Sequence, residues 1–124
     1  MIREPLSGLA SNVPVPLDTQ VALNSPEQAV DGLISAMGIS DQAWGSPLGL
    51  NLPGMRLSIQ EMRDALEATA GPQALDLLTY HRDPMIEAIV AGWPSHFESA
   101  RASRLGFRST ESFEAVVQRF QTSK

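Results

Sequence analysis

Two arginines stand where an anionic ligand could bind. Arg82 lies between a predicted strand and the Asp83-Pro84 start of a predicted helix, and Arg3 precedes an acid-proline loop. Loops at strand ends near helix N-termini bind anions, and the planar guanidinium matches a carboxylate or phosphate. The alternative is that both arginines form surface ion pairs, which contribute only about 0–1 kcal/mol each. From the residues alone we favour the ion pairs.

Other reactive combinations are missing from the sequence. There is no cysteine, so no thiolate nucleophile or cysteine-based metal site is predicted. His81 and His96 have no acid or second histidine at helical spacing, so we predict no metal site either. No serine lies in a G-x-S-x-G elbow and no two glycines form G-x-G, the turn that cradles phosphates. We predict no catalytic residue and no cofactor-binding residue in this chain.

Acidic pairs do occur, and each is predicted to lie on the solvent face of an amphipathic helix. The pairs are Glu61 with Asp64 and Glu111 with Glu114. A catalytic pair of carboxylates needs burial to shift its pKa values, and a solvent face does not provide it. We therefore interpret these pairs as solvated surface charges.

Charge and hydropathy exclude further classes of protein. The net charge is −5 over 124 residues, and the only lysine is Lys124. Nucleic-acid-binding proteins usually carry a basic stripe, whereas the arginines here are scattered among acids. No apolar run approaches the ~20 residues of a membrane span, and the N-terminus lacks the apolar core of a signal peptide. We expect a cytoplasmic protein that binds neither nucleic acid nor membrane.

The elements that must position these residues have clear boundaries. Residues 1–20 carry several prolines and are predicted to be irregular, and Gln20 to Asn24 is a strand candidate. Ser25-Pro26 starts the first helix with a serine cap and a proline at the first helical position. Its predicted buried stripe consists of Ala29, Val30, Leu33, Ile34 and Met37.

Leu50 to Gly71 is the best-defined unit. It is predicted to form a strand, a type II turn at Pro53-Gly54, a second strand, and a helix that ends at Gly71. Ser58 and Glu61 form a capping box at the start of that helix.

Three further helices follow a third strand, predicted over Ala74 to Tyr80. One begins at Asp83-Pro84, with an apolar stripe at Ile86, Ile89, Val90 and Trp93. A short helix over 97–105 and a final helix over about 111–121 complete the chain. The fold class is therefore α+β, with three to four short strands in a small sheet packed with about four helices.

Several segments of the sequence resemble those of a known family. The segment from Leu50 to Glu61 is similar to a strand–turn–strand–helix unit of the extended short-chain dehydrogenases/reductases, the NAD-dependent epimerase/dehydratases. The tail is similar to the C-terminus of the D-erythronate dehydrogenase branch, as is the entry at Arg3 to Leu6. The tail residues that carry this resemblance are Gly92 to Phe97, Arg101-Ala102, Leu105 to Phe107 and Ser112-Phe113.

The resemblance implies an NAD- or NADP-dependent oxidoreductase or epimerase with two parts. In the family, a Rossmann half carries the glycine-rich cofactor loop and a Tyr-x-x-x-Lys pair, and a smaller half closes over the substrate. This sequence departs from that pattern. Its only tyrosine is Tyr80, four positions before Pro84, and its only lysine is Lys124. We therefore interpret residues 1–124 as a single substrate-binding domain without the Rossmann part.

The same resemblance bears on the substrate. Arg82 is similar to an arginine that some nucleotide-sugar members use on a substrate phosphate, and Asp83 matches the acid that follows it. In the erythronate-like branch the anion would be a sugar-acid carboxylate. Arg82, Asp83 and Arg3 are thus the candidate substrate-binding residues.

Two functions remain open at this stage. The first is a C-terminal fragment of an epimerase/dehydratase or sugar-acid dehydrogenase that is inactive alone and self-associates through uncovered apolar surface. The alternative is a stand-alone, non-catalytic binding or interaction module derived from that domain. An in-frame Rossmann-coding sequence upstream would favour the first, and a stop codon there would favour the second.

Overall fold

The computed structural model describes residues 1–97, 100–109 and 111–123. Within these ranges the chain forms α-helices, one 3-10 helix and four short strands. In chain order they are α1 (Arg3–Leu6), β1 (Ser11–Asn12), β2 (Gln20–Leu23), α2 (Pro26–Met37), α3 (Asp41–Trp44), β3 (Met55–Ser58), α4 (Ile59–Ala70), the 3-10 helix (Pro72–Leu77), β4 (Leu78–Thr79), α5 (Pro84–Ala91), α6 (Ala100–Arg104) and α7 (Phe113–Thr122).

The strands form two small sheets of two strands each. β1 pairs in parallel with β4, and β2 pairs antiparallel with β3, so that Gln20 lies opposite Ser58 and Leu23 opposite Met55. The α+β class is confirmed. The predicted single small sheet is divided in two.

The capping box at the start of α4 is confirmed. The Ser58 hydroxyl accepts a hydrogen bond from the Glu61 amide at 3.1 Å, and the Glu61 carboxylate accepts one from the Ser58 amide at 2.7 Å. The Ser58 amide, and then the Ser58 hydroxyl at 2.9 Å, donate to the Glu61 carboxylate and lower its pKa. Gly71, with φ +83°, ends α4 as predicted, since this conformation strains any residue with a Cβ.

The predicted strand and type II turn before β3 are wrong. Residues 51–54 have no regular structure, and Gly54 is not among the glycines with positive φ that a type II turn requires. Its role is steric instead. A Cβ on Gly54 would lie 2.7 Å from the Leu23 carbonyl oxygen, so the glycine permits this segment to approach the end of β2.

The predicted third strand is mostly helical. Pro72 to Leu77 form the 3-10 helix, and only Leu78 and Thr79 are extended. The conformation of Gly71 redirects the chain, and Pro72 provides a φ that suits the first position of the new helix. The apolar residues of this segment are still used for packing, because Ala74 and Leu78 are both buried.

Most of the N-terminal segment 1–20 lacks regular structure, but it is packed against the rest of the domain. It contains α1 and β1, and Val13 and Val15 belong to the main apolar core. The Val13 amide donates to the Thr79 carbonyl at 2.7 Å, and the Asp83 amide donates to the Pro14 carbonyl at 2.9 Å. Proline without an N–H is tolerated here because the segment is a sheet edge.

Two adjoining clusters make the core around α4. The first contains Val13, Val15, Ile59, Leu66, Ala74 and Leu78. The second contains Ala65, Phe113 and Val117, so it joins α4 to α7 as the stripe of the last helix predicts. Ser112 caps α7 by accepting from the Ala115 amide at 3.2 Å.

The predicted buried stripe of α2 is wrong. Its cap is as predicted, since the Ser25 hydroxyl accepts from the Gln28 amide at 3.1 Å. The apolar face, however, is open, and Met37 is 86% exposed. Val30, Leu33 and Ile34 are also exposed, because none of the described residues packs over this face. We call Val30, Leu33, Ile34 and Met37 the α2 apolar face.

The stripe of α5 is similarly open. Ile86, Ile89 and Trp93 are exposed, and only Val90 packs against the main core. The predicted short helix over 97–105 is observed as α6 and ends at Gly106, with φ +90°. Residues 98 and 99 of that prediction lie outside the described residues.

Candidate functional site

Arg82 is engaged by a carboxylate of its own chain. Its Nε donates to Glu87 Oε1 at 2.5 Å, and its NH2 group donates to Oε2 at 2.8 Å, which makes a two-pronged ion pair. The pair lowers the pKa of Glu87 and raises that of Arg82. Arg82 is still 65% exposed, so solvent reaches the guanidinium. An incoming anion would therefore compete with Glu87.

Asp83 is committed to capping α5. Its carboxylate accepts from the Met85 amide at 2.9 Å and from the Ile86 amide at 3.4 Å. The loop before it is fixed by Asn12, which donates to the His81 carbonyl and accepts from the His81 amide. The Asp-Pro helix start predicted from the sequence thus positions Arg82 at the base of α5.

A cleft of about 400 Å³ adjoins this ion pair. Glu87 lines it, so the acidic partner of Arg82 faces the cleft. The other lining residues are small or apolar: Val15, Pro16, Thr19, Pro84, Ala88 and Ala91. In this arrangement the cleft presents a carboxylate to a ligand, with the guanidinium behind it.

Arg3 lies at a different cleft. It is highly exposed and pairs with its neighbour Glu4 at 3.1 Å. The cleft that it lines, about 260 Å³, is otherwise apolar, with Met62 and Phe113 among its walls. The structure therefore places Arg3 and the Arg82–Glu87 pair at separate clefts, and both arginines form the ion pairs that the alternative interpretation predicted.

A polar cluster at the base of α2 was missed. Glu111 was predicted on the solvent face of the last helix, but it precedes the Ser112 cap and is only 14% exposed. It forms an ion pair with Arg119, which also lies 3.6 Å from Glu27. The Ser25 hydroxyl and then Arg119 lower the pKa of Glu111. The cluster ties the start of α2 to α7.

A second missed feature is a polar cleft of about 260 Å³ beside α2. Gln28, Asp31 and Ser35 of α2 line it, and so does Arg108. The signal was available as a polar row at i, i+3 and i+7 of the helix. We call this feature the α2 polar cleft. Its remaining lining residues are Gly32, Leu52, Pro53, Gly106 and Phe107.

Arg101 has a structural role. Its guanidinium lies 5.1 Å from the centre of the Trp44 ring and donates to the Trp44 carbonyl at 2.9 Å. Longer hydrogen bonds reach the carbonyls of Leu48 and Gly49. Arg101 and Trp44 thus hold α6 against the loop after α3.

The described residues do not fit a dinucleotide cofactor. A dinucleotide site needs a glycine-rich turn between a strand and the following helix. Between β2 and α2 the helix is capped by Ser25, and between β3 and α4 it is capped by Ser58, so neither connection is such a turn. Within the same residues, no cluster of histidines and carboxylates has the arrangement to hold a metal ion. None of the helices in the described part of the chain is long and apolar enough to cross a membrane.

Comparison with solved structures defines the class of protein. The chain superposes on a nucleoside-diphosphate-sugar epimerase from Agrobacterium tumefaciens with a TM-score of 0.87 and 35% identity, covering 94% of this chain and 34% of that one. It has the same fold as part of the GalE-like L-threonine dehydrogenase from Cupriavidus necator, at a TM-score of 0.83 and 14% identity. That match covers 98% of this chain and 39% of the other. No family model matches the chain.

Comparison of sequences gives two relatives that share one name. The chain is 38% identical over 120 residues to the D-erythronate dehydrogenase of Cupriavidus necator and 32% identical to that of Haemophilus influenzae. Each match covers 97% of this chain, but the chain spans only 37% and 38% of the relatives' lengths. The predicted resemblance is confirmed, since the chain is similar to part of two D-erythronate dehydrogenases and to part of a nucleoside-diphosphate-sugar epimerase.

Proposed function

We propose that residues 1–124 form one substrate-binding domain of an NAD- or NADP-dependent dehydrogenase or epimerase of the cytoplasm, and that the domain does not catalyse alone. The observation that carries this proposal is the 38% identity to a D-erythronate dehydrogenase over 97% of the chain, which spans only 37% of that relative. The cofactor site and the catalytic pair then belong to the rest of the relative.

The α2 apolar face supports the proposal that this domain packs against a further part of a longer protein. Met37 and Leu33 are 86% and 69% exposed on a helix with a clear apolar stripe. A surface helix of a complete globular domain normally buries that stripe against its core. We assign the α2 apolar face to the dinucleotide-binding part, which is present in the longer relatives. In its absence we expect the face to associate with a second copy of the chain.

The substrate is a sugar acid or a nucleotide sugar, as the names of the relatives suggest. Of the three candidates, Arg3 lies at a separate cleft and Asp83 caps α5. We therefore propose Arg82 as the main contact, with Asp83 and Arg3 as secondary ones. Of these, Arg82 has the geometry to hold a carboxylate with two hydrogen bonds, since it already does so with Glu87. A substrate carboxylate would take the place of Glu87 on the guanidinium.

The direct test uses D-erythronate and NAD. The chain alone should produce no NADH, because no base, cofactor loop or orienting pocket accompanies the substrate. Calorimetric titration with NAD should show no binding. Turnover by the chain alone would overturn the proposal.

A chimera provides the positive arm. Replacing the matching segment of the Cupriavidus D-erythronate dehydrogenase with this chain should retain NAD reduction by D-erythronate. Arg82→Ala in the chimera should raise KM about 10-fold or more, as expected for a lost two-pronged hydrogen bond, whereas the exposed Arg56→Ala is the matched control. A folded chimera that neither binds nor oxidises the acid would favour a non-catalytic module instead.

A further inference from the structure

The α2 polar cleft holds an arginine that forms no ion pair among the described residues. Among the residues that the structure describes, Arg3, Arg63, Arg82 and Arg119 have ion pairs and Arg101 is bound to backbone carbonyls. Arg56, Arg104 and Arg108 have none of these contacts. Of these three, Arg108 lines the α2 polar cleft. Its guanidinium therefore has no carboxylate partner among the described residues at this concave surface.

The turn before Arg108 explains its position. Gly106, with φ +90°, reverses the chain at the end of α6, and the Phe107 amide donates to the Ala102 carbonyl at 3.0 Å. Phe107 is buried against the base of the cleft, so the next residue lies at its rim. The backbone that precedes Arg108 is thus held by burial and hydrogen bonding.

The other polar residues of the cleft have complementary chemistry. Asp31 and Arg108 are the only charged residues among those lining the cleft, and they do not approach within the 4.0 Å of an ion pair. Gln28 and Ser35 lie on the same row of α2 as Asp31 and add an amide and a hydroxyl. An aspartate in the same cleft as an arginine disfavours a plain inorganic anion, but it accepts hydrogen bonds from ligand hydroxyls.

We propose that the α2 polar cleft binds a small polyhydroxy carboxylate. Arg108 takes the carboxylate, and Asp31 with Gln28 takes hydroxyl groups. The volume of about 260 Å³ lies below the range of drug-sized pockets and suits a short sugar acid. This inference rests on the proposed function for its choice of ligand class. The cleft is a second site for such an acid, in addition to the one proposed at Arg82.

A single methyl group would also change the shape of the cleft. A Cβ on Gly32 would lie 2.7 Å from the Leu52 Cδ1 atom, and both residues line the cleft. That contact is with the end of a flexible side chain, so Gly32→Ala is expected to fold with Leu52 displaced. It thus offers a variant that changes the lining of the cleft without removing a charge.

The test is a titration of the 124-residue chain with D-erythronate, followed by the NMR shifts of its backbone amides. We expect saturable shifts at 28–35 and 106–108, and at least about a 10-fold weaker affinity in Arg108→Ala, since a charge-assisted pair is lost. Arg104→Ala, an exposed and unpaired arginine of α6, is the matched control and should bind like the unchanged chain. Gly32→Ala should weaken binding, and erythritol and acetate should each bind at least 10-fold more weakly than the hydroxy acid.

The outcomes separate this inference from the proposed function. Shifts around Arg82 that vanish in Arg82→Ala, with no effect of Arg108→Ala, would overturn the cleft and leave the proposed function standing. Acetate or sulfate binding as well as D-erythronate would overturn the polyhydroxy class. If D-erythronate shifts no amide of the folded chain, the cleft is overturned, and the chimera decides the proposed function independently.

Discussion

α2 and α4 are helices of equal length with opposite fates. Each contains 12 residues, begins after a serine cap and carries one apolar stripe. In α4 the stripe is closed, and Leu66 is 0% exposed between the strands, the 3-10 helix and α7. In α2 no residue is buried, and Met37 is 86% exposed.

The difference teaches what an amphipathic pattern can specify. An apolar stripe predicts that one face of a helix is buried, because apolar area is stabilising only when it is removed from water. It does not predict which part of the protein, or which other chain, covers that face. For α4 the cover lies within the described residues. For α2 no cover lies within the described residues.

The largest expected effect separates the two helices by stability. Leu66→Ala should lower the free energy of unfolding by about 2–5 kcal/mol, because it leaves a cavity in a closed core. Leu33→Ala, the matched truncation on the α2 apolar face, should change it by less than about 0.5 kcal/mol. Urea denaturation followed by circular dichroism measures both. Equal losses in the two variants would show that the α2 apolar face is already covered.

Local sequence signals predicted the ends of the elements well. The Ser58–Glu61 capping box, the Ser25 and Asp83 caps and the stop at Gly71 were all recognised from a few residues. These signals work because each cap is closed by hydrogen bonds within four positions of the chain.

Features that depend on distant parts of the chain were harder to predict. The order of residues 1–20 rests on Val13 pairing with Thr79, and the role of Gly54 rests on the Leu23 carbonyl. Glu111 was misplaced because its partners, Ser25 and Arg119, come from two different helices. Arg82 was correctly placed at a helix start, but its pairing with Glu87 depends on side-chain geometry that spacing leaves open.

An effect of intermediate size concerns the polar cluster of Ser25, Glu111 and Arg119, which ties the start of α2 to α7. The Ser25 hydroxyl and Arg119 lower the pKa of Glu111 below 4.5, so the unfolded chain takes up this proton at a higher pH than the folded chain. The contribution of Glu111 is therefore complete above about pH 5 and is lost as the pH falls through its folded-state pKa.

Glu111→Gln should accordingly make the acid-induced loss of stability shallower. Glu4, Glu61 and Glu87 also have lowered pKa values and should maintain part of the acid dependence. Glu114→Gln, an exposed carboxylate three positions away, is the control. Urea midpoints measured from pH 7 down to about pH 3 test this. Identical profiles for Glu111→Gln and the unchanged chain would show that the Glu111 cluster does not contribute to the pH dependence of stability.

The smallest effect on stability tests the open face itself. We expect the isolated chain to form dimers or larger species, because contiguous exposed apolar surface favours association. Leu33→Glu combined with Met37→Glu should shift it toward monomer and cost less than about 0.5 kcal/mol, since both side chains are exposed. Leu9→Glu, which charges an exposed leucine outside α2, should leave association unchanged. Light scattering across a concentration series measures this. A monomer at every concentration would contradict the expected association through the α2 apolar face.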